Sequence, residues 1–191
     1  AEIFAKQIDF NAPQMAGSIV NGGKGDDIIS GYAGWDILDG GDGNDLIRAG
    51  NGRDIICGGA GADELWGDFG WNTFRSEIDN SSDLIVVKSD QFLANWLYCK
   101  AGNNPSGEKC DVIEGLDSSD KIIIARVATE FLSFNANASA HGLNGIGIYA
   151  NGFLEALYTG TNLTTSQLSR ITSGDASEAA MNNAISSYGI W

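Results

Sequence analysis

A chain of 191 residues, 43% of them apolar, is long enough for one domain or two small ones and can bury a core of its own. Its 25 acidic and 11 basic residues leave a net charge of −14. That balance argues against binding nucleic acid, where affinity comes from Lys and Arg on phosphates, and against adhesion to anionic membranes. A chain so acidic needs counterions, and divalent cations are the natural ones. It opens at Ala1 without a Met or a charged-then-apolar leader, and no apolar run approaches the ~18 residues of a membrane span. We therefore expect a processed protein, an excised domain, or one exported by a signal that is not N-terminal, with no transmembrane segment.

Residues 1–21 carry Ile3, Ile8 and Phe10 among small residues and are expected to form an N-terminal strand or cap. From Gly22 to Arg75 the chain divides without a gap into six units of nine: GGKGDDIIS, GYAGWDILD, GGDGNDLIR, AGNGRDIIC, GGAGADELW and GDFGWNTFR. The fourth place is always glycine: Gly25, Gly34, Gly43, Gly52, Gly61 and Gly70. The sixth is Asp27, Asp36, Asp45, Asp54, Asp63 and finally Asn72, and the eighth is Ile29, Leu38, Ile47, Ile56, Leu65 and Phe74. A glycine-rich linker has no reason to hold a large apolar residue at every ninth place.

Nine residues bury nothing alone. If six form a turn and three a strand, two units make one coil, and coils stack with their strands parallel. Side chains alternate along a strand, so the eighth-place residues point inward and the seventh and ninth outward. Glycine in the turns permits backbone angles closed to other residues and lets carbonyl oxygens converge. The sixth-place carboxylate joins them. Calcium takes six to eight such oxygens at about 2.3–2.6 Å. Turns on one side recur every second unit, which pairs Asp27 with Asp45, Asp45 with Asp63, Asp36 with Asp54, and Asp54 with Asn72. Without an ion these carboxylates repel, so metal binding and folding are expected to be one event.

Past the repeats, short apolar runs separated by Gly, Asn, Asp and Ser predict strands at Leu84–Val87, Trp96–Cys99, Val112–Ile113, Ile122–Ile124, Ile146–Tyr149 and Phe153–Thr159. A short helix is expected to start near Thr165. A second is expected over about Ala176–Tyr188, with Asp175-Ala-Ser-Glu178 as its capping box and Met181, Ala184, Ile185 and Tyr188 on one face. The domain plan is a cap over 1–21, the repeat body over 22–75, and a β-rich C-terminal region with a terminal helix over 76–191.

The repeats resemble the RTX family of secreted proteases, lipases, epimerases and surface-layer proteins, with its pattern Gly-Gly-x-Gly-x-Asp-x-aliphatic-x; GGDGNDLIR and GGAGADELW match it in full. CDVIEGLDSSDKIII and Asn162-Leu-Thr-Thr-Ser-Gln-Leu are similar to elements that follow the repeats in members of that family. The resemblance implies an all-β fold, a calcium-bound parallel β-roll or right-handed β-helix, followed by a mostly β region with one or two short helices. It implies several calcium ions, held by Asp27, Asp36, Asp45, Asp54, Asp63 and Asn72 with turn carbonyls from Gly22, Gly25, Gly31, Gly34, Gly40, Gly43, Gly52, Gly58 and Gly61. It also implies export by a C-terminal type I signal. The chain departs from the pattern at Asn72, at Tyr32, Ala49 and Asp68 in place of glycines, and in its Tyr-Gly-Ile-Trp191 tail.

The remaining chemistry is sparse. Cys99 and Cys110 enclose a polar loop and are expected to form a disulfide, leaving Cys57 over. No zinc helix, phosphate loop, dinucleotide fingerprint or nucleophile elbow appears. His141, the lone histidine, is expected on a surface loop. The sequons at Asn80, Asn137 and Asn162 carry little weight. We expect a non-enzymatic, secreted, calcium-binding protein with a structural role at the cell surface or in extracellular matrix, adhering or assembling into an oligomer, layer or filament, with Phe69 and Trp71 as a contact surface. The alternatives are the secretion and folding module of a larger type I-secreted protease, lipase or epimerase, and a small hydrolase using His141.

Overall fold

The computed structural model describes residues 2–4, 17–89 and 110–177. The strand expected at Trp96–Cys99, residues 178–188 of the helix expected over 176–188 and the Cys99 half of the expected disulfide lie outside them. In chain order the described strands are β1 (Glu2–Phe4), β2 (Ile19–Lys24), β3 (Ile28–Ser30), β4 (Ala33–Gly34), β5 (Ile37–Asp42), β6 (Leu46–Arg48), β7 (Asn51–Gly52), β8 (Ile55–Ala60) and β9 (Glu64–Trp66). They continue with β10 (Phe69–Gly70), β11 (Thr73–Arg75), β12 (Leu84–Lys88), β13 (Asp111–Glu114), β14 (Lys121–Ala125), β15 (Leu132–Ala140), β16 (Leu143–Ala150), β17 (Phe153–Tyr158) and β18 (Thr172–Asp175). One helix, α1 (Thr165–Ile171), starts where the sequence predicts. Thr164 and Gln167 close its capping box, and Leu168 anchors it in the core.

Two sheets face each other, and the repeats alternate between them. One is all parallel, in the order β1-β3-β6-β9-β12-β14-β18; the other runs β2-β5-β8-β11-β13-β17-β16-β15, ending in an antiparallel hairpin. Neighbouring repeat strands are two units apart: Leu38 pairs with Ile56 in one sheet, and Ile47 with Leu65 in the other. Two nine-residue units therefore make one coil, and the fold is a parallel β-roll. A third, narrow sheet, β4-β7-β10, lies in the turns of every second unit.

The sheets do not stop where the repeat stops. β12 adds to β9, and β13 adds to β11, each in parallel register. Arg75 thus ends the nine-residue period, while both sheets carry on through β14 and β17.

The period of nine places one large side chain per unit between the sheets. Ile29, Leu38, Ile47, Ile56, Leu65 and Phe74 are all fully buried, and Ile85, Ile113, Ile122, Ile124 and Tyr158 extend the same cluster. Their neighbours point outward, as Ile28 and Ile37 do at 44% and 41% exposure. β15 is not among the expected strands: its Leu-Ser-Phe-Asn-Ala-Asn-Ala-Ser-Ala alternates apolar and polar residues, but the last three apolar places are alanine. It forms because His141 and Gly142, with φ of 54° and 77°, make the tight turn that lays it against β16.

The alternation predicts a sharp contrast between adjacent residues. In saturating calcium, Leu38→Ala should cost about 2–5 kcal/mol, the range for an emptied core site. Ile37→Ala should cost about 1 kcal/mol or less. Denaturant titration of the two variants measures both, and equal losses would mean that the strand faces are assigned wrongly.

Candidate metal centre

Each sixth-place residue follows its turn and opens a strand, and its side chain turns back under the turn of its own unit. There one carboxylate oxygen is spent on the coil before. Asp45 Oδ1 accepts the N–H of Asp27, Asp54 Oδ1 that of Asp36, and Asp63 Oδ1 that of Asp45, each at 2.8 Å. Asn72 Oδ1 takes the N–H of Asp54 at 3.1 Å. The four residue pairs expected from the sequence are therefore the pairs that stack. In the opposite direction, the carbonyls of Asp27, Asp36, Asp45 and Asp54 accept N–H groups of Leu46, Ile55, Glu64 and Thr73.

The other oxygen has no such partner. Oδ2 of Asp36, Asp45, Asp54 and Asp63 is buried without a hydrogen bond, in residues no more than 2% exposed. A buried anionic acceptor left unmatched is costly. Burial pushes the carboxyls upward, Asp54 to about 7 and Asp63 to about 6, with neighbouring carboxylates adding to the rise; Asp36 and Asp45 move the same way.

First-place glycine makes this arrangement possible. A Cβ on Gly22 would sit 2.5 Å from the carbonyl oxygen of Gly40 and 2.6 Å from Asp27 Oδ2. Gly31 and Gly40 are crowded in the same way, by their own unit's carboxylate and by the carbonyl of Ala49 or Gly58. A carboxylate and a carbonyl, both acceptors, thus converge over each of these glycines, and over Gly31 and Gly40 the carboxylate oxygen has no donor. Hard oxygens of this kind suit calcium. Among the described residues no cluster of three His, Cys, Asp or Glu side chains is poised for a metal, so a cation in these columns draws on backbone carbonyls as well. Gly22, Gly31, Gly40 and Gly58 lie against the carboxylates. Gly25, Gly34, Gly43 and Gly61 adopt positive φ in the turns, and Gly52 lies beside Asp54. Tyr32 and Asp68, at second places, take left-handed φ of 73° and 58° where glycine would be unstrained.

The ladder runs past the repeats. Asp83 Oδ1 accepts the N–H of Asp63, Asp111 Oδ1 that of Asn72, and Asp120 Oδ1 that of Asp83. One column reads Asp27, Asp45, Asp63, Asp83, Asp120, and the other Asp36, Asp54, Asn72, Asp111. The last three aspartates were not among the expected site residues. Half of the motif does mark them: Asp83-Leu-Ile85, Asp111-Val-Ile113 and Asp120-Lys-Ile122 keep the sixth and eighth places without the glycines.

His141 and Trp71 are placed elsewhere. Arg53 lies 4.6 Å over the Trp71 ring, whose other neighbour is the His141 ring at 4.8 Å. His141 Nε2 donates to the Cys110 carbonyl at 2.8 Å. Burial pushes the Cys110 thiol up to about 12.

The RTX calcium-binding nonapeptide repeat is the family whose model matches, in four copies, over residues 17–47, 40–74 and 48–81. Residues 17–81 are an RTX repeat array on a β-roll, and repeats of this kind bind calcium. No curated protein and no solved structure matches the chain. No helix among the described residues is long and apolar enough to cross a membrane.

The raised carboxyls set the sign of a pH effect. A carboxyl whose folded value lies above its unfolded one, near 3.9, favours the folded state when protonated. That stability is lost as pH rises toward the folded values of about 6 for Asp63 and about 7 for Asp54. In chelator, strand circular dichroism should therefore be stronger at about pH 5 than at pH 8. With calcium present the order reverses, because protons compete with the ion and the calcium midpoint rises on acidification. A chelated protein insensitive to pH over this range would contradict the assignment.

Proposed function

We propose that this is a secreted, non-enzymatic, calcium-triggered structural protein, folding its roll on meeting extracellular calcium and associating through the roll. The observation that carries the calcium trigger is the run of buried, unmatched Oδ2 atoms at Asp36, Asp45, Asp54 and Asp63. The metal ligands are Asp27, Asp36, Asp45, Asp54 and Asp63 with carbonyls of the glycine turns. The ion supplies the positive charge that the stacked carboxylates lack; the residues themselves hold the turns in register through their Oδ1 bonds. A structural role is supported by the apolar surface of the first coil, where Ile19, Ile28, Tyr32, Trp35 and Ile37 are exposed by 41–83%. Phe69 and Trp71, expected as a contact surface, are spent within the chain: Lys88 Nζ lies 3.3 Å over Phe69, and Trp71 stacks with Arg53 and His141. The non-enzymatic reading is supported by His141, whose ring is committed to Trp71 and the Cys110 carbonyl.

In chelator the repeats should be largely unfolded, with strand signal appearing at about 10⁻⁴–10⁻³ M calcium. Asp45→Ala and Asp54→Ala, each removing a carboxylate stacked on both sides, should raise that midpoint more than Asp27→Ala. Circular dichroism unmoved by chelator would reject the trigger.

For association, sedimentation in millimolar calcium should show oligomers that dissolve in chelator and that Trp35→Ala weakens. A strict monomer at high protein concentration would favour the second reading, a secretion and folding module of a larger enzyme.

A further inference from the structure

At seven places along the ladder the second side-chain atom is in one of two states. At Asp36, Asp45, Asp54 and Asp63 it is a buried oxygen with no donor. Beyond them the protein supplies the missing bond. Asn72 Nδ2 donates to the Gly67 carbonyl at 3.1 Å, where an aspartate would set an anionic oxygen against that same acceptor. Asp83 Oδ2 accepts a bond from the Ser76 hydroxyl. Asp120 Oδ2 accepts the N–H of Asp117 at 2.7 Å.

Two of these donors stand at the first turn of each column past the unmatched oxygens. Ser76 follows Gly40 and Gly58 at the next first place of its column, and Gly58 is crowded by Asp63 Oδ2 as Ser76 is bonded to Asp83 Oδ2. The serine side chain fills the gap that glycine leaves open, and its hydroxyl does there what an ion does upstream. Asn72 fills the equivalent gap in the other column with its own amide. Both residues are buried, at 1% exposure for Asn72 and 6% for Ser76.

We infer that Asn72 and Ser76 terminate the two calcium columns by replacing the metal with protein hydrogen bonds, so that the coils from Gly67 to Asp175 close without calcium. The inference rests on the calcium reading of the upstream aspartates. It revises one ligand of that reading: Asn72 is a metal-free closure and not a weak calcium site. The chain then consists of a calcium-dependent part, residues 17–66, built onto a calcium-independent part that shares both of its sheets.

Hydrogen exchange in chelator on the whole chain tests the wild type. Amides of Val112, Ile113, Ile122 and Ile124 should stay protected while those of Ile29, Leu38, Ile47 and Ile56 exchange freely. Calorimetric titration with calcium then tests the two residues. Asn72→Asp and Ser76→Gly should each add one bound calcium to the wild-type stoichiometry, and each should make protection at Ile113 or Ile122 calcium-dependent. Uniform loss of protection over both parts in chelator overturns the inference, and so does an unchanged stoichiometry in both variants that fold. Should one variant fail to fold in calcium, the exchange pattern of the wild type and the other variant still decide. A wild type that binds no calcium rejects the calcium reading itself, and the inference with it; a wild type that binds calcium with uniform exchange rejects the inference alone.

Discussion

The structure depends on a carboxylate that is half satisfied. One oxygen each of Asp36, Asp45, Asp54 and Asp63 accepts a backbone N–H from the coil before it, which fixes the rise from coil to coil and the register of both sheets. The other is buried with nothing to accept from. The first bond could be supplied by any short acceptor; an asparagine does so at Asn72. The second oxygen is what makes the array conditional. Four unmatched anionic oxygens in a narrow stack weigh against what the two-sheet core contributes, because an unsatisfied buried acceptor costs about 1–3 kcal/mol even when neutral. On the proposed reading, a divalent cation between carboxylate and carbonyl would turn that deficit into the cohesion of the roll.

Alternation of the units gives the roll two unlike turn faces. The turns containing Lys24, Asp26, Asp42 and Asn44 are polar and exposed. The opposite turns carry Tyr32, Trp35, Arg53, Phe69 and Trp71, and the narrow third sheet runs through them. Because residues two units apart are stacked neighbours, Trp35, Arg53 and Trp71 form a ladder of their own, with the guanidinium 6.0 Å from one ring and 4.6 Å from the other. Cation–π contacts of this kind hold about 0.5–1 kcal/mol each at exposed sites. The ladder ends on His141 at the tip of the β15–β16 hairpin. The lone histidine therefore ties the last hairpin to the repeat, and its left-handed backbone, φ 54°, is what the tight turn requires.

Much of this was legible in the sequence, because a period of nine fixes which residues share a column. The inward eighth place, the stacking partners, two units per coil and the start of α1 all follow from spacing and capping chemistry. What was not legible follows from contacts distant in the chain. Asp111 joins the ladder by a bond to Asn72 across 39 residues, and the half-motif Asp-x-aliphatic is too common to reveal that alone. β15 does alternate apolar and polar residues, but from Ala136 on its apolar places are all alanine, too small to mark a strand; the tight turn and β16 hold it as one. Trp71 is a bulky residue at a variable turn place, and only the fold shows that Arg53 and the hairpin tip flank it.

The same logic accounts for the last glycine-type turn, where the chain departs furthest from the repeat. Asp68 occupies a second place that favours glycine and accepts a left-handed φ of 58°. One coil further on, where the repeat would place another turn, β12 ends on Lys88 instead. Its ammonium lies 3.6 Å from Asp68 Oδ1 and over the Phe69 ring, with both charged side chains about 95% buried. A buried pair of this kind contributes little beyond what a well-packed apolar pair would, yet removing one partner costs about 3–5 kcal/mol because the other charge is stranded. Its value here is positional. A lysine brings its cation on the chain, at all calcium concentrations, to the end of the stack where Asn72 has already given up a carboxylate. The left-handed backbone at Asp68, the loss of charge at Asn72 and the gain of charge at Lys88 all fall at the place where the repeat gives way to ordinary β-structure.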